Sequence, residues 1–203
     1  MRKLGKQLVI CAMITASVWV GVLITQGQQL KENLIRFHVV ANSDAPEDQA
    51  VKLQVRDAVL ESIREDLQKV ADVEEAKAYL QENLPKIEAV ANRTLEAAGF
   101  SDTAVVKLCR EAFDTRNYDT FSLPAGVYEA LRITIGEGAG HNWWCVAFPD
   151  LCQGATTREF TQTAAQAGLP EDLTETLASP QPRHIRFYLL DVLGQVQNYF
   201  FEK

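Results

Sequence analysis

The chain has 203 residues, 47% of them hydrophobic, and a formal net charge of −7. That is enough for one good core, or for one domain plus a tail. The acidic balance excludes a basic nucleic-acid binder, and no basic stripe interleaved with aromatics occurs anywhere.

Arg2, Lys3 and Lys6 precede the uncharged run from Leu8 to Thr25. This is a basic flank followed by an apolar stretch just long enough to cross a bilayer. The positive flank stays cytoplasmic, so the remainder is expected on the far side of the membrane. Residues 1–27 therefore read as a signal peptide or a membrane anchor, and 28–203 as an exported domain. Thr25-Gln26-Gly27 is too loose a small-residue site to decide between cleavage and anchoring. Beyond residue 27 the chain carries 17 Lys and Arg against 27 Asp and Glu, a net charge of −10. Such a balance suits an exported domain that stays off anionic lipid apart from its anchor.

Ile35, Phe37 and Val39 alternate with Arg36 and His38, the period of a strand with one buried face. Asn42-Ser43-Asp44 stops that strand. A helix is predicted from there to about Lys69, with Asp44 as N-cap, Glu47 closing a capping box and Pro46 in the first turn. Lys52 and Arg56 fall in the arc that also holds Val51, Val55, Val59 and Ile63. A cation there wants a carboxylate or a carbonyl, because burying it alone is costly. Asp72 caps a further helical pattern through Ala76, Tyr79, Leu80 and Leu84. Pro85 either kinks that helix or starts a third, and the pattern resumes at Ile87 and ends at Gly99 with Phe100.

From residue 101 the period changes. Strands are expected at 103–112, 121–123, 127–135 and 143–148, with a turn at Pro124-Ala125-Gly126 and a glycine-rich loop at 136–140. Residues 153–183 read as looser, with a short helical piece near 159–167 and a linker containing Pro170, Pro180 and Pro182. Ile185, Tyr188, Leu189, Val192, Val196, Tyr199 and Phe200 form an amphipathic C-terminal helix over 184–201. The fold class is α+β, a mainly antiparallel sheet covered by a helical layer and preceded by the membrane or signal segment. Strand order is not legible at this level.

Several motifs invite chemistry. Gly136-Glu137-Gly138-Ala139-Gly140 is followed by no Lys-Ser/Thr, leads into a strand, and carries Glu137, which repels phosphate. It reads as a wide hairpin turn. His141 and Cys145 are the residue types of a Cys/His nucleophile pair. Four residues of separation running into a strand keep their side chains apart, and neither an oxyanion-hole motif nor a third orienting residue accompanies them. His141, Cys145, Cys152 and Cys109 lack the close C-x₂₋₄-C pair of a zinc site, so no metal is expected. In an exported chain Cys145 and Cys152 can close a small disulfide loop, leaving Cys109 as a buried strand thiol. A pair of reduced core cysteines is the other reading. Trp143 and Trp144 fall on opposite faces of the last strand. One belongs to the core, and the other is either covered by the C-terminal helix or exposed as a contact anchor.

Two blocks of sequence carry a resemblance. The first runs from Ile35 to Ala50 and continues through Lys52 and Val55-Arg56-Asp57-Ala58-Val59. The second runs from Gly136 to Val146, with Phe148-Pro149 and Leu151-Cys152. Together they resemble the stage II sporulation protein R family of endospore-forming bacteria, and the match covers most of 34–152. Residues 153–203 carry no motif that matches.

The resemblance implies a signalling protein made in the forespore and exported into the space between the two sporulation membranes, secreted or N-terminally anchored. It also implies a partner: the membrane-embedded aspartic protease that processes pro-sigma-E in the mother cell, activated there by contact. On that reading the chain is not an enzyme and takes no cofactor. The competing class is a secreted hydrolase using Cys145 and His141. The activating surface is expected at Asn42, Ser43, Asp44, Gly140, His141, Asn142 and one of Trp143 and Trp144, since both loops concentrate polar groups beside apolar anchors. Arg56 and Asp57 are expected behind it, with Arg56 pairing to an acid or carbonyl of the 42–48 loop. Ser43 and Asn142 are expected to matter little for stability.

Overall fold

The computed structural model describes residues 2–152, 157–178 and 185–201. The alternation at 35–39 forms strand β1 (Ile35–Val40), which follows helix α1 (Arg2–Glu32) and leads into α2 (Pro46–Leu67) and α3 (Val73–Ala97). Then come β2 (Ala104–Phe113), β3 (Arg116–Asn117), β4 (Ser122–Leu123), β5 (Gly126–Ile135) and β6 (Asn142–Phe148). Helices α4 (Thr157–Gln166), α5 (Glu171–Leu177) and α6 (Ile185–Phe201) complete the described chain. The expected linker around Pro180 and Pro182 lies outside the described residues. Pro170, expected in the same linker, is instead the N-cap of α5.

Four strands make one sheet in the order β2-β5-β1-β6, and β3 with β4 form a separate two-stranded ribbon. The outer pairs, β2–β5 and β1–β6, are antiparallel, while the central pair β1–β5 is parallel. Parallel neighbours need a long crossover, and the stretch α2–α3–β2 supplies it. The fold is therefore α+β with a mixed, mainly antiparallel sheet.

On one face, Val51, Val55, Val59 and Ile63 of α2 and Ala76, Leu80, Ile87, Ala91 and Leu95 of α3 meet Ile35, Phe37, Val39, Leu131 and Ile133 of the sheet. The ends of α3 are well defined. Asp72 accepts a hydrogen bond from Glu75 N at 2.9 Å. Gly99, at φ 82°, lets Phe100 N reach back to Leu95 O at 2.9 Å. Pro85 lies within α3 without dividing it. Two α3 side chains also cover the free edge of β2. Asn92 exchanges hydrogen bonds with Ala104 O at 3.0 Å and Ala104 N at 2.8 Å, and Glu88 accepts from Val106 N at 3.0 Å.

The opposite face corrects the reading of β1. All six of its residues are buried, and Arg36 is 0% exposed. The cause is a second apolar layer. Leu23 and Leu30 of α1, Phe160 of α4, Leu173 and Leu177 of α5, and Phe187 and Leu190 of α6 close over Phe113, Tyr128, Ala130 and Val146. The boundary expected at residue 27 thus falls inside α1, whose last turns belong to this core. Arg36 is accommodated by rings. Its guanidinium lies 4.1 Å from the Phe113 centroid and 5.1 Å from that of Tyr128, and it donates to Tyr118 Oη at 2.9 Å. Among the described residues Arg36 Nε and Nη1 have no hydrogen-bond partner, which leaves the ring faces as their main attraction.

Helix α6 is seated on the sheet by backbone contact. A Cβ on Gly194 would overlap the Ala125 carbonyl. Alongside it Asp191 accepts from Ala125 N at 2.8 Å and Asn198 donates to Phe113 O at 2.9 Å. Gly194→Ala is therefore expected to force α6 off β5 and to cost about 1–3 kcal/mol. Urea denaturation of the variant beside the native chain checks this. An unchanged midpoint would show that the close approach is not needed.

Candidate functional site

The strand β1 ends at Val40 and β5, parallel to it, ends at Ile135. Both chains therefore leave the sheet at the same end, and the loops 41–45 and 136–141 emerge side by side. They are bound into one unit. Gly140 N donates to Ala41 O and Ala139 N to Asn42 O, each at 3.0 Å. The Asn42 side chain accepts from Glu137 N at 3.0 Å and donates to Asp48 at 3.1 Å. Ser43 Oγ donates to Asp48 at 2.6 Å and accepts from Ala45 N at 3.1 Å.

Asp44 is not the helix cap. The N-cap of α2 is Ala45, with no side-chain capping bond. Asp44 instead accepts from His141 N at 2.7 Å and contacts His141 Nδ1 across the loops. The backbone N–H of His141, followed by its ring, holds the Asp44 carboxyl below the usual carboxylate range. Pro46 does open α2, where its missing N–H is harmless.

Lys52 resolves the question of the cation in the apolar arc. It is 5% exposed and donates to His141 O at 2.9 Å and to Gln49 Oε1 at 2.5 Å. Burial lowers its pKa, partly offset by the attraction of Asp44. Arg56 does something other than expected. It does not pair with the 42–48 loop; its Nε binds Asp57 at 2.7 Å and its guanidinium lies 4.6 Å from the Trp143 centroid. Arg56 and Asp57 thus back the tryptophan, and Lys52 ties the loops.

Two glycines make the close approach possible. A Cβ on Gly140 would overlap the Ser43 carbonyl, and one on Gly136, at φ 55°, would overlap the Asn42 side chain. Beside the exposed Asp44, Glu137 and Ala139 of the loops stands a short row. His141 and Asn142 are exposed, the His141 side chain at 80%, and Trp143 and Trp144 are half-buried. Trp143 meets Phe37 edge-on at 6.2 Å on the α2–α3 face. On the other face Trp144 packs on His38 at 4.6 Å and Phe113 at 5.2 Å, with the Arg116 guanidinium 4.6 Å from its ring. Ser43, expected to matter little for stability, is part of the internal network.

Behind Trp144 lies a cluster that sequence reasoning missed. His38 Nε2 meets Glu111 Oε2 at 2.9 Å, and Arg132 donates to Glu111 Oε1 at 2.8 Å. Burial pushes the Glu111 carboxyl up, but the hydrogen bond and charge of His38, then those of Arg132, outweigh it and bring it down to about 2. Cys109 is a free, half-buried thiol, pushed up to about 11 by burial and by Glu111. Only the pairing of both β1 and β2 with β5 assembles these residues, and nothing local announces it.

Cys145 and Cys152 are joined in a disulfide with Cα atoms 5.4 Å apart. Cys145 is buried, and its sulfur is committed to Cys152 while the His141 ring is committed to Asp44. The geometry therefore does not bring His141 and Cys145 together as a nucleophile and base. Among the described residues no group of three His, Cys, Asp or Glu is placed to hold a metal ion.

Two outcomes test this description. Gly140→Ala is expected to separate the loops and cost about 1–3 kcal/mol, while Asn142→Ala should stay within about 0.5 kcal/mol of the native chain; thermal unfolding monitored by circular dichroism measures both. Equal midpoints would show that the loops are not coupled. The second outcome concerns pH. Because the folded Glu111 pKa is depressed to about 2, its stabilisation is fully present above the unfolded value of about 4.3. It is lost as pH falls through the folded value. Glu111→Gln should be destabilising at pH 7, and the gap to the native chain should close between those two values in chemical denaturation at stepped pH.

With this geometry in place, comparison with known proteins is informative. The family model described as Stage II sporulation protein R (spore_II_R) matches residues 31–158, which include all four sheet strands and both loops. Stage II sporulation protein R of Bacillus subtilis (strain 168) is 36% identical over 158 residues, covering 72% of this chain and 70% of that protein. No solved structure matches. The coupled loops, the Lys52 tie and the tryptophan pair all lie within the matched region, and the chain belongs to the stage II sporulation protein R family.

Proposed function

We propose that this sporulation protein is an exported signal that acts by binding: it activates a membrane-embedded aspartic protease that processes pro-sigma-E, linking forespore to mother cell. The family membership and the basic-then-apolar α1, long enough to cross a membrane, support an exported or anchored domain. The observation that carries the reading is the coupled loop pair. Asp44, Lys52, Gly136 and Gly140 fix the loops so that His141, Asn142, Trp143 and Trp144 stand at one end of the sheet in a fixed arrangement. A surface prepared in this way loses little conformational freedom on docking, which favours affinity. It biases the protease by binding one of its states better than the other. Asn42, Ser43 and Gly140 shape the surface from within, the exposed Asp44 is part of it, and Arg56 and Asp57 support Trp143.

The test is reconstitution of the protease in vesicles with pro-sigma-E as substrate and this chain supplied from the opposite side. Asn142→Ala should leave the thermal midpoint nearly unchanged, His141→Ala should lower it only slightly by giving up an exposed contact with Asp44, and both should reduce processing about ten-fold or more, as expected of central contact residues. Full processing by both folded variants would move the interface elsewhere. A folded Cys145→Ala/Cys152→Ala protein that still activates would separate this reading from a hydrolase built on Cys145.

A further inference from the structure

We infer that the outward face of α6 lies on the bilayer that α1 crosses, so that the domain is held against the membrane by two helices. This rests on the reading of α1 as a membrane span. The apolar residues of α6 divide by exposure. Phe187, Leu190 and Gly194 are buried against the sheet, whereas Ile185, Tyr188, Val196, Tyr199 and Phe200 are between 52% and 73% exposed. At 100° per residue the exposed set, together with Val192 and Leu193, forms one arc, with the half-buried Leu189 inside it. That arc begins beside Arg186 and Gln197, the two residues by which α6 hydrogen-bonds to α1. The two charges of α6 are both engaged elsewhere: Arg186 with Gln26 and Asp172, and Asp191 with Ala125 N and Thr115.

The depth of α1 decides what covers this face. Leu23 is 2% exposed, gripped by the core that includes Leu173, Leu177, Phe187 and Leu190. From Lys6 to Leu23 a helix rises about 26 Å, less than the roughly 30 Å hydrocarbon thickness. With Lys6 at the cytoplasmic headgroups, Leu23 and the Gln26 that bonds Asp172 and Arg186 sit at the opposite boundary of the bilayer. The α6 contacts then run obliquely. They pass from Arg186 to Gln197, about 16 Å of helix, while on α1 they pass only from Gln26 to Lys31, about 8 Å. A helix that crosses a span this steeply, with aromatics on an uncharged outer face, has the character of an interfacial helix. Glu171 and Glu175 of α5 are exposed nearby, so apolar burial and not charge is the attraction. The surface it fits is therefore zwitterionic lipid.

The experiment uses the full chain with Cys11 and Cys109 replaced by Ser, reconstituted into phosphatidylcholine vesicles. Single cysteines at Tyr188→Cys, Phe200→Cys and, as a remote control on α2, Leu53→Cys carry an environment-sensitive fluorophore. Flotation reports anchoring, quenching by nitroxide-labelled lipid reports contact with the bilayer, and iodide reports water. The expected result is flotation, with lipid quenching at 188 and 200 about three-fold or more above that at 53, and no response to added salt. Failure to float would overturn both the anchor and this inference. Flotation with 188 and 200 as open to iodide as 53 would overturn this inference alone. Shielding from iodide without lipid quenching, rising with protein density, would assign the face to a second copy and overturn it equally. Agreement between the two sites guards against a local disturbance at either one.

Discussion

Strand β1 runs down the middle of the molecule and is covered on both faces, and this double coverage governs what the other elements can do. It places Ile35, Phe37 and Val39 under α2 and α3, and Arg36 and His38 under the helices of the second layer. A charged residue survives there because Phe113, Tyr128 and Tyr118 are gathered around it by three different segments. The same strand takes a parallel neighbour on one side and an antiparallel one on the other. Its exit is thereby brought beside the exit of β5, and the return into β6 must pass in front of both. The joined loops are a consequence of that topology, made exact by glycine and by a buried lysine.

How much of this could be read from the residues follows the range of each interaction. Local patterns were legible. The Asp72 cap, the Gly99 stop and the strand at 126–135 rest on neighbours within a few positions. The two loops could be recognised as unusual, and the glycine-rich one as a wide turn. What they approach was not written locally. Asp44 had the appearance of a helix cap because the cap and the cross-loop acceptor require the same side chain. The competition was settled by His141, 97 residues away. Arg36 and His38 looked like solvent-facing residues because alternation tells which residues share a face, not whether that face is covered. Glu111 gave no signal, since its partners lie on other strands.

The two ends of the chain are connected in a way that a division into a leader and a domain obscures. Leu23 and Leu30 of α1 share a core with α5 and α6, and Gln26 bonds to Asp172. Anything that acts on the apolar helix is thus mechanically coupled to the C-terminal helices. The loop pair lies on the far end of the same sheet, carried by strands that this second layer holds in place.

The side chains that α3 places along β2 have a bearing on life at high local concentration. A ten-residue edge strand with a protruding valine, Val105, is a standing invitation to another copy of itself. Asn92 and Glu88 occupy the backbone groups of Ala104 and Val106 on which such an addition would start. The strand is left with its length but without a free beginning. Copies at high concentration can therefore crowd together without zipping into a continuous sheet through that end.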